Sequence, residues 1–341
     1  MIFFRADSNS QIASGHVMRC ISIASFFRER GKDVMFLIAD ENPIKLLEPY
    51  AIPYKVLHSD WNDLSTEVSV VRDILSAYPS SLLLVDTYRI TEEYVNALTD
   101  YATICYLGSK PDYLGRLKAI INYSSVINEE RYRILYPHTR LLLGTQYAPL
   151  RKEFRDIPMR LKSDIQHILI TTGNTDATNI VGRILETLEG VENLKDVTLD
   201  VVVGGSFAHA DELYQQYGSI PNIILHRAPV NMSELMRKAD LAITANGTTV
   251  YELIASKVPV ISFAMVAEQI ESAIGLSKKH CLEYCGYIGD DVCDVLEQIS
   301  QHIITLSLVE ARRELVKQAS QFIDGNGCKR IYNEIMENYE R

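Results

Sequence analysis

Short β-branched apolar runs recur along this chain, each parted from the next by a longer amphipathic stretch, and that alternation restricts the fold to parallel α/β architecture. In the first half the runs are Ile2–Arg5, Asp33–Ile38, Leu82–Val85, Thr103–Leu107 and Ala119–Asn122. Helices are predicted over His16–Arg30, with Gly31 as C-terminal cap, and over Thr91–Asp100. In the second half Ile168–Thr172, Thr198–Val203, Ile223–His226, Leu241–Thr244 and Val260–Phe263 form another set. The stretch Tyr147–Ser163 has no clear period and is rich in charge, which marks a junction. At 341 residues the chain exceeds one domain of roughly 150. The expected organisation is therefore a domain over 1–155 and another over 156–341, both Rossmann-like and doubly wound. Ligands in open α/β sheets bind beyond the carboxyl ends of the strands, so the default site is a cleft shared by the two.

Bulk properties remove several classes of function. A formal net charge of −10 argues against a nucleic-acid partner, which needs a clustered basic surface. It leaves room for an anionic small molecule held by backbone amides at a helix start. The opening Met-Ile-Phe-Phe is followed at once by Arg5 and Asp7, too short an apolar run for a signal peptide or membrane span. The six cysteines have neither metal-ligand nor redox spacing and read as free thiols in a reducing compartment. A cytoplasmic location, with no metal and no cofactor, is the expectation, and nothing in the cleft asks for a second subunit.

Two segments carry chemistry. The first, Arg5-Ala6-Asp7-Ser8-Asn9-Ser10-Gln11-Ile12-Ala13-Ser14-Gly15-His16, leaves the first strand as a polar loop and enters a helix. Gly15 permits close backbone approach, and His16 at the helix start is a candidate general base if its imidazole is neutral. Arg19, about one turn on, balances phosphate charge or simply solvates the helix; His16 itself equally fits a plain packing role. There is no G-x-G-x-x-G and no Walker lysine, which weakens dehydrogenase and kinase readings. The second segment, Ala242 to Glu252, reads as strand, tight turn and helix. Asn246, Gly247, Thr248 and Thr249 occupy the turn, where amides and hydroxyls can hold a diphosphate. Glu252, one turn further, is placed to accept from a ribose diol, and Glu268-Gln269 follow the next strand. Taken singly, each of these fits an ordinary helix cap; the ordered set gives every part a task in holding UDP.

The stretches RADSNSQIASGHVMRC, VDTYRI, LLGTQYAPLRKEF and ITANGTTVYELIASKVPVISFAMVAEQ resemble the nucleotide-sugar hydrolases of pseudaminic acid biosynthesis, the UDP-2,4-diacetamido-2,4,6-trideoxy-β-L-altropyranose hydrolase family. That family is related in fold to the MurG-type glycosyltransferases. The resemblance implies a GT-B-like pair of Rossmann domains and a metal-independent, inverting hydrolysis in which water attacks the anomeric carbon and UDP departs. It implies His16 as base, Asp7 orienting the histidine or the sugar, and Tyr88 on sugar or phosphate. It places Gly247, Thr248 and Thr249 on the diphosphate, Glu252 on ribose, and Glu268 and Gln269 near sugar or nucleotide. The chain departs from the family at Leu107-Gly108-Ser109, where an acidic pair is usual, and at Asn246-Gly247 and Gly173-Asn174, where Gly-Gly is usual. A GT-B transferase passing the sugar to an acceptor hydroxyl uses the same donor site. A nucleotide-sugar binder without activity is the third reading.

Overall fold

The structure, a computed structural model, describes residues 1–191, 194–229 and 231–337. It forms two compact units: Met1–Lys152 with the chain from Asn326 onward, and Glu153–Gly325.

The first unit is built on a seven-stranded sheet. Its strands are β1 (Ile2–Ala6), β2 (Val34–Ile38), β3 (Tyr54–Val56), β4 (Ser81–Asp86), β5 (Ala102–Leu107), β6 (Ala119–Asn122) and β7 (Arg140–Leu143), in the order β3-β2-β1-β4-β5-β6-β7. Every pairing is parallel. β1, at the centre, is covered on both faces, as its unbroken Ile-Phe-Phe run requires. Phe4 faces the helix Gly15–Arg28 and stacks on Phe36 at 5.3 Å, whereas Phe3 packs with Leu37, Leu83 and Val85 on the other face.

The second unit repeats the plan with β8 (His167–Thr171), β9 (Thr198–Val203), β10 (Ile223–Arg227), β11 (Leu241–Ala245), β12 (Val260–Ala264) and β13 (Glu283–Tyr287), in the order β10-β9-β8-β11-β12-β13. In both sheets the strand order reverses beside the first strand, at β1/β4 and at β8/β11. The crevice above such a reversal is where open α/β sheets bind ligands.

All the strands expected from the sequence are present, within one or two residues at their ends. Three were not foreseen: β3, β7 and β13. Each is an edge strand with mixed exposure, so none shows the continuous apolar run of a buried parallel strand.

The second domain, expected to run to the C-terminus, ends instead at Gly325, and the helix Gly327–Met336 returns to the first unit. Cys328, Ile331, Ile335 and Met336 join the core beneath the helix Gly15–Arg28, and Tyr332 meets Phe26 and Phe27 edge-on at 5.8 and 5.0 Å. The apolar stripe of that helix finds its partner in the N-terminal half, which local periodicity cannot reveal.

The return is close-packed at two glycines. A Cβ on Gly325, whose φ is +84°, would lie 2.0 Å from the Phe154 carbonyl oxygen, and one on Gly327 would lie 2.0 Å from that of Ala148. Replacing Gly327 with Ala forces backbone against backbone and should lower stability by at least about 2 kcal/mol, read by urea denaturation followed in the far-ultraviolet. An unchanged midpoint would show that this crossing is loose.

Candidate functional site

The first candidate centre lies at the β1/β4 reversal and is organised by Asp86, the last residue of β4. Side chains alternate along a strand, so Asp86 shares a face with Leu82 and Leu84, the face covered by the helix Gly15–Arg28. It meets two residues one helical turn apart. His16 Nδ1 lies 2.6 Å from Asp86 Oδ1, and Arg19 Nε donates to Oδ2 at 2.5 Å while its Nη2 donates to Oδ1. Arg19 Nη1 also donates to the Tyr123 hydroxyl at 3.0 Å. Burial pushes the Asp86 carboxyl up, but the charge of Arg19 and hydrogen bonds from Arg19 and His16 outweigh it and hold the group below the ordinary range. Asp86 is therefore ionised and accepts a proton-bearing Nδ1, so in the neutral ring Nε2 keeps the free lone pair.

Beside the imidazole is a cavity of about 40 Å³ lined by Asp7, Ile12, His16, Trp61, Asp86 and Tyr88 among others. Its volume is on the order of one water molecule's share of the liquid. Tyr88, 61% exposed, stands edge-on to His16 at 4.7 Å between ring centroids.

Asp7 does not orient His16. It follows β1 with the parity of Phe3 and Arg5, on the face away from the histidine's helix, and its partners are Arg5 Nη1 at 2.5 Å and the Ala39 amide at 2.8 Å. Arg5 is wholly buried and bidentate to Glu67, both bonds 2.7 Å, and Glu67 also accepts from the Tyr94 hydroxyl at 2.7 Å and from Ser59 Oγ at 3.0 Å. Burial is the largest influence on Asp7 and lifts its carboxyl above the ordinary value, against the pull of Arg5. Asp7 still reaches the cavity, so the structure groups it with His16 and Tyr88, while the carboxylate hydrogen-bonded to the imidazole is Asp86. Gly15, the first residue of the helix, faces open space where a Cβ would stand.

The second candidate centre lies at the β8/β11 reversal. Gly247 is the N-cap of the helix Thr248–Ala255, with no side chain capping it. Gly247 and Thr248 are exposed, Thr249 and Glu252 half-buried. The first amides of a helix lack intrahelical partners and carry partial positive charge, so this turn suits an anion. Asn246 is buried; its Nδ2 donates to the Gln269 carbonyl at 3.2 Å, and Gln269 Oε1 accepts from the Met265 amide at 2.8 Å. These bonds lock the turn after β11 to the turn after β12. Gln269 is thus placed as a brace for the loop, while Glu268 next to it is exposed. Among the described residues no cluster of three His, Cys, Asp or Glu side chains is arranged for a metal ion, and no helix is long and apolar enough to cross a membrane.

No family model matches the chain. It is 24% identical over 344 residues to the spore coat polysaccharide biosynthesis protein SpsG of Bacillus subtilis, across 98% of both chains. It is 24% identical over 284 residues to the UDP-2,4-diacetamido-2,4,6-trideoxy-beta-L-altropyranose hydrolase of Campylobacter jejuni, covering 82% of this chain and 96% of that one. To the uncharacterized protein MJ1062 of Methanocaldococcus jannaschii it is 26% identical over 270 residues, 75% of this chain but 54% of the other, so it spans about half the length of that relative. Among solved structures it superposes on MurG of Acinetobacter baumannii with a TM-score of 0.68 at 15% identity, over 98% and 99% of the two chains. The Anabaena HepE structure, in complex with UDP, gives 0.62 at 16% identity over 99% of each. The chain has the GT-B-like fold of two Rossmann-like parallel sheets.

Asp86 has a testable signature. Its folded-state pKa is depressed, so its stabilisation is present above its unfolded value of about 3.9 and is lost as pH falls through the folded value. Asp86→Asn should cost about 3 kcal/mol at pH 7, since it leaves Arg19 uncompensated. In urea denaturation across a pH series that difference should shrink below about pH 4. A pH-independent difference would mean that Asp86 carries no charge in the folded protein.

Proposed function

We propose that this chain is a nucleotide-sugar hydrolase that removes UDP from a UDP-diacetamido-trideoxy-hexose, in the biosynthesis of a pseudaminic-type nonulosonic acid. The observation that carries the reading is the His16–Asp86 pair, with a space for water beside the imidazole. His16 Nε2 takes a proton from a water molecule as its oxygen bonds to the anomeric carbon. The bond from that carbon to the diphosphate oxygen breaks, its electron pair leaves with UDP, and a single displacement inverts the centre. Asp86 keeps Nδ1 protonated and steadies the imidazolium; Arg19 prevents Asp86 from becoming the proton's destination.

A diphosphate leaving group needs its charge stabilised more than it needs an acid. Thr248 and Thr249 supply amides and hydroxyls for that charge, Gly247 leaves the space open for it while its own amide donates to the Ala245 carbonyl at 2.8 Å, Asn246 and Gln269 fix their turn, Glu252 takes the ribose, and Glu268 stands near sugar or nucleotide. Tyr88 contacts sugar or phosphate, and Asp7 the sugar. The similarity to the Campylobacter hydrolase over nearly its whole length supports this reading.

A second reading, a GT-B glycosyltransferase using the same donor, is favoured by the likeness to MurG.

His16→Asn should lower kcat for UDP release by at least about 10²-fold with no acceptor and with chelator present. Its Kd for UDP, from calorimetry, should stay within about threefold of the parent. Full activity in the variant would remove His16 as base. Release from the parent only when an acceptor is supplied would move the function to transfer. Gly247→Val crowds the open helix start and should weaken UDP binding on the order of tenfold with folding intact, equivalent to about 1.4 kcal/mol; unchanged affinity would place the diphosphate elsewhere.

A further inference from the structure

The chain contains one tryptophan, Trp61, and neither the His16–Asp86 pair nor the UDP turn accounts for it. It is half-buried on a polar turn between β3 and the short helix Leu64–Glu67, on the wall of the cavity that His16 lines. A large aromatic with ring area left open beside a polar cavity is the arrangement of a binding surface rather than of a core residue.

The turn that carries it is fixed on all sides. The Asp63 amide donates to the Asp60 carbonyl at 3.0 Å, the Asn62 amide to Asp60 Oδ1 at 2.8 Å, and the Asp60 amide to Thr66 Oγ1 at 3.1 Å. Just before it, Ser59 Oγ donates to Glu67, the carboxylate that Arg5 and Tyr94 hold. Trp61 is therefore held in place through the same buried ion cluster that holds Asp7. With Ile12 and the exposed Tyr88 it sets apolar surfaces against the polar groups of Asp7, His16 and Asp86. A pyranose has the complementary character: faces made of C–H groups, edges made of hydroxyl or amide groups.

We propose that Trp61 is the sugar-recognising residue of this site, forming with Ile12 and Tyr88 the apolar wall on which the C–H face of the glycosyl group packs. The inference rests on the UDP-sugar reading above. Trp61 contacts no reacting atom in this scheme, so it sets affinity and choice of sugar, whereas His16 sets the rate of proton transfer.

Because the tryptophan is unique, its emission reports on this place alone. The intact protein is titrated with UDP, UDP-N-acetylglucosamine and UDP-2,4-diacetamido-2,4,6-trideoxy-β-L-altropyranose, with calorimetry on the same samples. The expected result is a shift in emission with at least one UDP-sugar and little with UDP, although both bind. In steady-state hydrolysis of the responding sugar, Trp61→Ala should raise KM at least tenfold with kcat within about threefold, and Trp61→Phe should recover much of the loss. Equal emission changes with UDP and UDP-sugar, no change with a UDP-sugar that calorimetry shows to be bound, or an unchanged KM in Trp61→Ala would overturn the role of Trp61 and leave the UDP-sugar reading standing. Calorimetry showing no binding of UDP or either UDP-sugar would overturn both.

Discussion

A carboxylate taken almost wholly out of water governs the first unit: Asp86 at the end of β4. Removing such a group from solvent costs several kcal/mol, and the cost is tolerable only where opposite charge and hydrogen bonds replace the lost hydration. Arg19 supplies the charge and two of the bonds, and His16 supplies a third. Both come from one face of the helix Gly15–Arg28, so the requirement to satisfy Asp86 fixes how that helix lies along the sheet. From behind, the helix is held by Tyr332 against Phe26 and Phe27 and by the apolar side of Gly327–Met336. A last segment, reached only after the chain has built the other unit, thus stiffens the helix that presents the candidate base.

On the opposite face of the same sheet a second closed ion cluster joins Arg5, Glu67, Asp7 and Tyr94. The two clusters stand on either side of the β1/β4 reversal, and breaking either would strand a buried charge. The corresponding place in the second unit is built differently although its strand order is the same. There the turn after β11 is held by the neutral amides of Asn246 and Gln269, and its exposed end is the uncapped start of a helix. One unit carries ionised side chains that fix a proton's position. The other leaves backbone dipoles free for an anion.

The interior strands were legible because strands buried on both faces must be apolar throughout, and Ile2–Ala6 or Leu241–Ala245 has no other reading. β3, β7 and β13 lay below that signal because an edge strand keeps one side in water. His16 and Arg19 could be picked out from their order along the chain and Tyr88 from the resemblance that VDTYRI carries, and in the structure all three lie together. Asp86 was hidden in plain view, the second residue of VDTYRI, where an apolar run ends in a polar turn. Its importance depends on which face of β4 it occupies, and strand parity can be counted only once the strand's limits are known. Trp61 had no motif around it; its role depends on β3 and the Leu64–Glu67 turn bringing it back to the loop after β1.

In the hydrolysis proposed above, the remaining question of chemistry is where a proton goes after His16 takes it. Asp86 already accepts from Arg19 at both oxygens, and the charge of Arg19 holds its carboxyl below the ordinary range, so it is a poor proton acceptor. The proton must therefore stay on the imidazole through the displacement and leave later by the side on which it arrived. That side is bounded by Tyr88, the most exposed aromatic ring among the described residues of the first unit, and this gives the imidazolium a short path back to solvent. A transferase with the same base would have to open this edge to an acceptor and then clear it to recharge the histidine. In a hydrolase water serves both purposes: it is the nucleophile that gives up the proton, and it is the bulk acceptor that carries the proton away.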